Sequence, residues 1–204
     1  PRKITRAVAL GTALLGGASL AQAQMLEEIT VTARKREENV QEVPVAITVV
    51  TGEALEDQGA ADISDIQASV PNLSLYEGRN QSTTLTAFMR GIGQADPLWG
   101  VDPGVGLYLD DVYIARPQGA LLDVFDVERI EVLRGPQGTL YGKNTTGGAI
   151  NLITRTPQLD DETNGYFTLG GGNYGLVNAQ GAVEGTLSEG TLAGRLAFNY
   201  KEND

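Results

Sequence analysis

The sequence contains no cysteine and no histidine, and it has one tryptophan and two methionines in 204 residues. Lack of cysteine excludes a disulfide frame and a thiol nucleophile. Lack of both residues excludes a Cys/His zinc site and any histidine-based triad. No apolar run reaches the roughly eighteen residues that a spanning helix needs. Cations are scarce, with 15 basic residues against 26 acidic ones and a net charge of −11. Arg2, Lys3 and Arg6 stand at the very start, which leaves 12 basic against 26 acidic residues, or −14, for the rest. A chain that acidic repels a phosphate backbone, so nucleic acid is excluded as a direct partner. What is abundant is glycine, at 26 residues. Glycine suits tight turns and closely packed strands. The length allows one to two domains.

Residues 1–23, PRKITRAVALGTALLGGASLAQA, read as a secretory signal. Cations come first, an apolar stretch runs from Ala7 to Leu20, and Ala21-Gln22-Ala23 supplies a small-residue cleavage site. The alternative, a transmembrane anchor, needs a longer run with less Ala and Gly. Cleavage after Ala23 leaves Gln24 as the mature N-terminus. Because the chain begins with Pro1, it is expected to be incomplete at its start. The following stretch to Glu42 carries Glu28-Ile29-Thr30-Val31-Thr32-Ala33, a β-branched run after acidic residues, and then the mixed charges of Arg34 to Glu38. Alone it is an extended segment of high β-propensity or a linker.

Val43 to Thr51 (VPVAITVVT) reads as the first strand, with Pro44 near its start and Gly52 after it. Thr51 is placed to cap a short helix that exposes Glu53, Glu56 and Asp57. Asp62 caps another, with Ile63, Ile66 and Val70 at helical spacing and Pro71 ending it. Leu73, Leu75 and the 83–89 run are short strands. In Phe88-Met89-Arg90-Gly91-Ile92-Gly93 two glycines invite a nucleotide loop, but the third glycine and the following helix are missing. The loop from Gln94 to Gly104 holds Trp99. A hairpin follows, with Val105, Leu107 and Leu109 alternating before Asp110-Asp111, then Val112 and Ile114. Paired aspartates can hold a metal or act as acid and base. With no third ligand nearby, a solvated turn fits better. Pro117 to Phe125 reads as a short helix. Gly142-Lys143 is no phosphate loop, since Gln137 and Asn144 stand where Gly and Ser/Thr are required.

Val127 to Pro157, VERIEVLRGPQGTLYGKNTTGGAINLITRTP, organises the chain. Val127, Ile130 and Val132 are apolar among Glu128, Arg129 and Glu131. Arg134-Gly135-Pro136 breaks the strand, and a second run, Ala149 to Thr154, follows Gly147-Gly148. Charged strands around a glycine-rich turn do not read as an ordinary core, because buried charges must be paired. They suit a domain held inside a polar cavity. After Pro157 the pattern becomes dyad, as in Tyr166, Thr168 and Gly170 against Phe167 and Leu169. Leu192, Leu196 and Phe198 likewise sit among small and polar residues such as Gly194, Arg195 and Asn199, and Ser188-Glu189-Gly190 makes a turn. Transmembrane β-strands read this way. At about 9–11 residues per strand, this tail holds roughly three. A sheet stopping there has an open edge that lipid does not tolerate, so the chain is expected to be a fragment.

The Val127–Pro157 stretch resembles the plug domain of TonB-dependent outer-membrane receptors. Met89-Arg90-Gly91-Ile92-Gly93 and VGLYLDDVYIAR resemble two further segments of that family in the same order. Placed after a cleavage site, Glu28 to Ala33 resembles the TonB box, which pairs with a strand edge of TonB. The resemblance implies an α+β plug domain, a small mixed sheet with short helices, followed by the start of a transmembrane antiparallel β-barrel. It divides the chain into a signal peptide (1–23), a box segment and linker (24–42), a plug (43–157) and first barrel strands (158–204). Implied partners are TonB with its inner-membrane energising complex, outer-membrane lipid, and a small-molecule or metal-chelate ligand. Glu28, Ile29, Thr30, Val31, Thr32 and Ala33 are the implied TonB contacts. Arg90, Glu128, Glu131 and Arg134 are the implied charged contacts within the plug or with the barrel wall. Arg79, Trp99 and Arg116 are candidate ligand contacts on outward loops. No catalytic residue, cofactor or resident metal is implied. The expected function is TonB-dependent transport of a ferric siderophore or similar chelate across a Gram-negative outer membrane, with plug and N-terminus facing the periplasm. Cobalamin, haem or glycans are alternative cargoes. A soluble periplasmic plug-like module without a barrel, and a secreted enzyme using Asp110 and Asp111, are the competing classes. About twenty residues between the cleavage site and Val43 are too few for a signalling domain.

Overall fold

A computed structural model describes residues 29–36, 38–78, 83–96, 98, 100–159, 163–173 and 175–202. The signal segment, Glu28, Arg79 and Trp99 lie outside the described residues. One short strand pair comes first, β1 (Thr30–Val31) with β2 (Glu38–Asn39). Then follow β3 (Ile47–Thr51), helix α1 (Gly52–Asp57), a 3-10 helix (Ile63–Ala68), β4 (Leu73–Glu77), β5 (Leu85–Met89) and β6 (Ile92–Gly93). Next are β7 (Val105–Leu109), β8 (Val112–Tyr113), β9 (Val127–Arg134), the single-turn helix α2 (Gly138–Tyr141) and β10 (Gly148–Thr154). Strands β11 (Asn164–Gly171), β12 (Val177–Ser188) and β13 (Leu192–Glu202) end the chain.

The central sheet has the order β3-β9-β10-β7-β8. β9 is antiparallel to both β3 and β10, whereas β10 and β7 run parallel. Side chains alternate across a strand, and here both faces are covered. On one face Val50, Ile130, Val132, Ile150, Leu152, Val105 and Leu107 pack against Leu55 of α1, Ile63 and Ile66 of the 3-10 helix, and Leu75 and Met89 of the β4-β5-β6 sheet. On the other face Leu133, Ala149 and Tyr108 meet Val31, Ala33, Val43 and Tyr141. The charged stretch expected to make a poor core is therefore the centre of it. β9 places Ile130 and Val132 on one face and Leu133 on the other, all fully buried. Its charges survive because Glu128 is exposed and Glu131, the one fully buried carboxylate on the strand, is paired. Ile130 sits between β3 and β10, opposite Val50 and Leu152. Ile130→Ala should cost about 2–5 kcal/mol through lost burial and the cavity left behind, read as a lowered unfolding temperature of the domain.

Thr51 caps α1, its Oγ1 accepting from the Ala54 N–H at 3.3 Å. Asp62 and Asp65 form a reciprocal capping box on the 3-10 helix. The first strand begins at Ile47 and not at Val43, as Pro44 has no N–H to give a ladder. The helix expected over 117–125 is absent. The Gly119 and Leu121 N–H groups donate to the Thr83 carbonyl and the Ile63 N–H donates to Leu122, so the segment's backbone is tied to its neighbours. Gly119 also has φ +78, incompatible with a right-handed turn.

The β11-β12-β13 sheet is antiparallel throughout. Phe167, Leu169, Val183, Leu196, Phe198 and Tyr200 are exposed on one face. Thr168, Asn178, Gln180, Asn199 and Lys201 line a cavity of about 380 Å³ between the other face and the α1 region. The expected dyad alternation is thus realised, with Gly190 at φ +63 in the Ser188–Thr191 turn.

Candidate functional site

Two places gather the chain's charged and tyrosine side chains. The first lies where the N-terminal segment crosses the sheet. Thr30 pairs with Asn39 and Val31 with Glu38, and the Val40 N–H donates to the Ile29 carbonyl at 3.0 Å. Glu38 is held by Arg34 at 3.3 Å and Arg36 at 2.5 Å. β-branched Ile29, Thr30 and Val31 favour the strand, and alternation drops Val31 and Ala33 onto Leu133, Ala149, Tyr108 and Tyr141. Val31 is 0% and Ala33 1% exposed, while Thr30 faces solvent.

Between them the Thr32 N–H donates to Glu131 Oε1 at 2.8 Å, and Thr32 Oγ1 donates to the same oxygen at 3.3 Å. Arg129 Nε reaches that oxygen at 2.9 Å. Glu131 is fully buried and its Oε2 has no partner among the described residues. Beside it in the sheet stands Asn151, also fully buried, whose Nδ2 donates to Asp111 Oδ1 at 3.0 Å. Lys35 Nζ meets Asp111 Oδ1 at 2.5 Å and lies 4.2 Å from the Tyr141 ring centre, a cation–π contact. Burial, reinforced by Glu131, Asp111 and Tyr108, pushes the Tyr141 hydroxyl well above the usual phenol range, so it stays neutral. The Tyr108 hydroxyl donates to the Tyr141 carbonyl at 2.6 Å. A polar row, Glu131-Asn151-Asp111, thus runs beneath the segment.

The second place joins the α+β domain to the last three strands. Arg195 of β13 grips Asp126 with Nε at 2.8 Å and Nη2 at 2.5 Å, and Nη1 meets Glu184 of β12 at 2.6 Å. The Arg195 and Asp126 side chains are each 10% exposed, so this bidentate pair is largely desolvated. Asp126 has φ +52 and accepts the Arg155 N–H on its carbonyl. Arg155 in turn stacks over Tyr166 and pairs with Glu56 at 3.3 Å. Next to this joint, Ile29, Thr30, Glu128, Arg129, Gln158 and Glu184 line an open cavity of about 550 Å³. Asp126→Ala should cost about 2–3 kcal/mol, less than the ~3–5 for a wholly unpaired buried charge because Glu184 remains. Earlier protease cleavage of the domain at unchanged expression would register it.

The residues singled out from sequence fall unevenly. Ile29 to Ala33 are brought together on the sheet. Glu128 and Glu131 both pair with Arg129, inside the domain. Arg90 makes no ion pair among the described residues; it is exposed at φ +52 with its guanidinium near Gly135. The Arg134 Nε is buried without a partner among the described residues. None of the four meets the last three strands through a described ion pair. That contact belongs to Asp126 and Arg195, which sequence reasoning missed as a pair. Arg116 lies beside Gln94 and Pro103, at the base of the loop that contains Trp99. Asp110 accepts from the Thr154 N–H and Oγ1 at 2.8 Å each, so both aspartates serve the turn and the segment docked on it. Among the described residues no three His, Cys, Asp or Glu side chains are grouped to hold a metal.

Comparison with known proteins bears on both places. The TonB-dependent Receptor Plug Domain family matches residues 39–149. The pesticin receptor of Yersinia pestis is 32% identical over 99% of this chain and 30% of its own length. The catecholate siderophore receptor Fiu of Escherichia coli K12 is 30% identical over 61% of this chain and 15% of its own. Among solved structures, the ferric yersiniabactin uptake receptor FyuA of Yersinia pestis superposes with a TM-score of 0.68 at 31% identity, covering 76% of this chain and 24% of that one. The ferripyoverdine receptor of the Pseudomonas aeruginosa outer membrane gives 0.70 at 25% identity, covering 86% and 22%. This chain spans about 30% of the length of the curated relatives it matches first. On the family match and the shared architecture, the chain belongs to the TonB-dependent receptor plug-domain family.

Proposed function

We propose that the chain is the N-terminal part of an outer-membrane receptor that takes up a ferric siderophore, with the plug as gate and TonB as the source of energy. One observation carries the reading: a box-like strand lies on a plug whose Asp126 is ion-paired to the polar face of a dyad-patterned sheet. That sheet's other face is apolar and exposed, as a lipid-facing barrel wall is. We read residues 24–42 as box and linker, 43–157 as plug and 158–204 as first wall strands. Ile29 to Ala33 then form the TonB contact by strand addition, in which main-chain hydrogen bonds give affinity. The plug and N-terminus face the periplasm, where TonB reaches them. Arg116, with Arg79 and Trp99, supplies ligand contacts on the outward loops.

Three of the relatives named above are receptors for catecholate siderophores, ferric yersiniabactin and ferripyoverdine, which supports an iron-chelate cargo over cobalamin, haem or glycans. A soluble module would leave Phe167, Leu169, Leu196 and Phe198 in water as one patch. Enzymatic use of Asp110 and Asp111 is disfavoured by their structural hydrogen bonds. Growth of a deletion strain on single iron sources, haem, cobalamin and glycans tests the cargo. Loss confined to one ferric siderophore is expected, and loss confined to glycans or cobalamin contradicts it.

A further inference from the structure

We infer that Glu131 is a positioning residue that holds the box against the plug sheet, and that β2 shields one of its edges. The inference rests on the reading of Ile29 to Ala33 as the TonB contact. Strand addition needs a free row of N–H and C=O groups and side chains able to face a new neighbour. Here one edge of β1 is already paired, Thr30 with Asn39 and Val31 with Glu38. The next N–H along, that of Thr32, is spent on the Glu131 carboxylate at 2.8 Å. Val31 and Ala33, the side chains flanking that hydrogen bond, are buried on Leu133 and Ala149. The box as it lies therefore cannot accept a partner strand without lifting off the plug.

Glu131 is suited to this hold. It is fully buried, Arg129 Nε donates to it at 2.9 Å, and Thr32 is its only other donor among the described residues. A hydrogen bond to a charged acceptor is stronger than one between neutral groups. When the box leaves, water replaces Thr32 at Glu131 Oε1, and Oε2, now without a partner, becomes solvated as well. The bond is thus reversible in a way that a purely apolar seat is not. Lys35, on Asp111 and over Tyr141, closes the far end of the segment. A partner that binds only the released box has its apparent affinity lowered by the fraction of receptors in the released state.

These 204 residues hold no cysteine, so a Thr30→Cys substitution gives a single labelling site once any cysteine elsewhere in the full-length receptor is replaced. Thr30 is exposed, so a spin label there reports docking without disturbing it. In full-length, ligand-free receptor in detergent, the label should be immobile, and Glu131→Ala should make it mobile. Glu131→Gln keeps an acceptor for the Thr32 N–H and should leave the label largely immobile, a rescue that general destabilisation does not produce. Thr32→Pro removes the same N–H from the other side, leaves the plug sheet intact, and should free the label even if Glu131→Ala misfolds. In unlabelled receptor, Glu131→Ala should raise the ligand-free affinity for the periplasmic domain of TonB about tenfold. An immobile label in both Glu131→Ala and Thr32→Pro overturns the inference. A label freed in both, with no TonB binding by any chain, upholds the hold and overturns the box reading instead.

Discussion

A Val31→Pro chain is expected to reach the outer membrane in normal amount and to import nothing above the background of cells without TonB. Val31 lies in the middle of the proposed box and in β1, paired with Glu38. Proline removes its N–H and fixes its φ, so neither the docked ladder nor one built with TonB can form across it. The segment lies on the plug and not within the β3-β9-β10-β7-β8 sheet, so the plug core keeps its strands and their registers. Val31→Ala retains the N–H and should retain most of the uptake, which separates loss of the ladder from loss of the side chain. Radioactive iron accumulation per receptor, with surface ligand binding as a control for correct assembly, measures both. Normal import by Val31→Pro would mean that the force-bearing strand lies elsewhere.

The second large effect is on folding. Gly148 opens β10 at φ +154, opposite Arg134. A Cβ there would come within 2.2 Å of Met89 Sδ and 2.3 Å of the Leu133 carbonyl oxygen. The methionine can swing aside, but the Leu133 carbonyl is part of β9 and cannot. Gly148→Val combines overpacking, about 1–3 kcal/mol, with a β-branched residue in a glycine-favoured region, about 1–3 kcal/mol. Together these reach roughly 2–6 kcal/mol against a typical total of about 5–15. The variant should appear as a plug cut by protease under conditions that leave the parent intact. Gly138, which has open space around its would-be Cβ and begins α2, provides the contrast, and Gly138→Ala should be neutral or nearly so.

These contrasts show where the sequence was sufficient. Local signals were legible: the Thr51 cap, the Asp62 cap, the Asp110-Asp111 hairpin and the dyad pattern of the last strands all depend on neighbours along the chain. The β9 run was legible as a strand but misjudged as a poor core. Its alternation sends Ile130 and Val132 to one cluster and Leu133 to another, and a second apolar face was not foreseen because part of its cover is the N-terminal segment. The 117–125 helix failed because Thr83 and Ile63, distant in sequence, take the hydrogen bonds a helix would use. The charged contacts were misassigned for the same reason. Glu128 and Glu131 sit in a recognisable motif, yet both turn to Arg129, whereas Asp126 and Arg195 are 69 residues apart with no shared pattern. An acid just before β9 and an arginine on the polar face of β13 are the signals that could have suggested the pair.

The account turns on TonB-driven import of an iron chelate through this gate. Its most direct test is accumulation of radioactive iron, supplied as each of a set of ferric siderophores, in cells expressing the full receptor with and without TonB. The account predicts accumulation of at least one chelate that disappears without TonB while surface binding of that chelate persists. Equal accumulation in both strains, or none with any chelate, would contradict it.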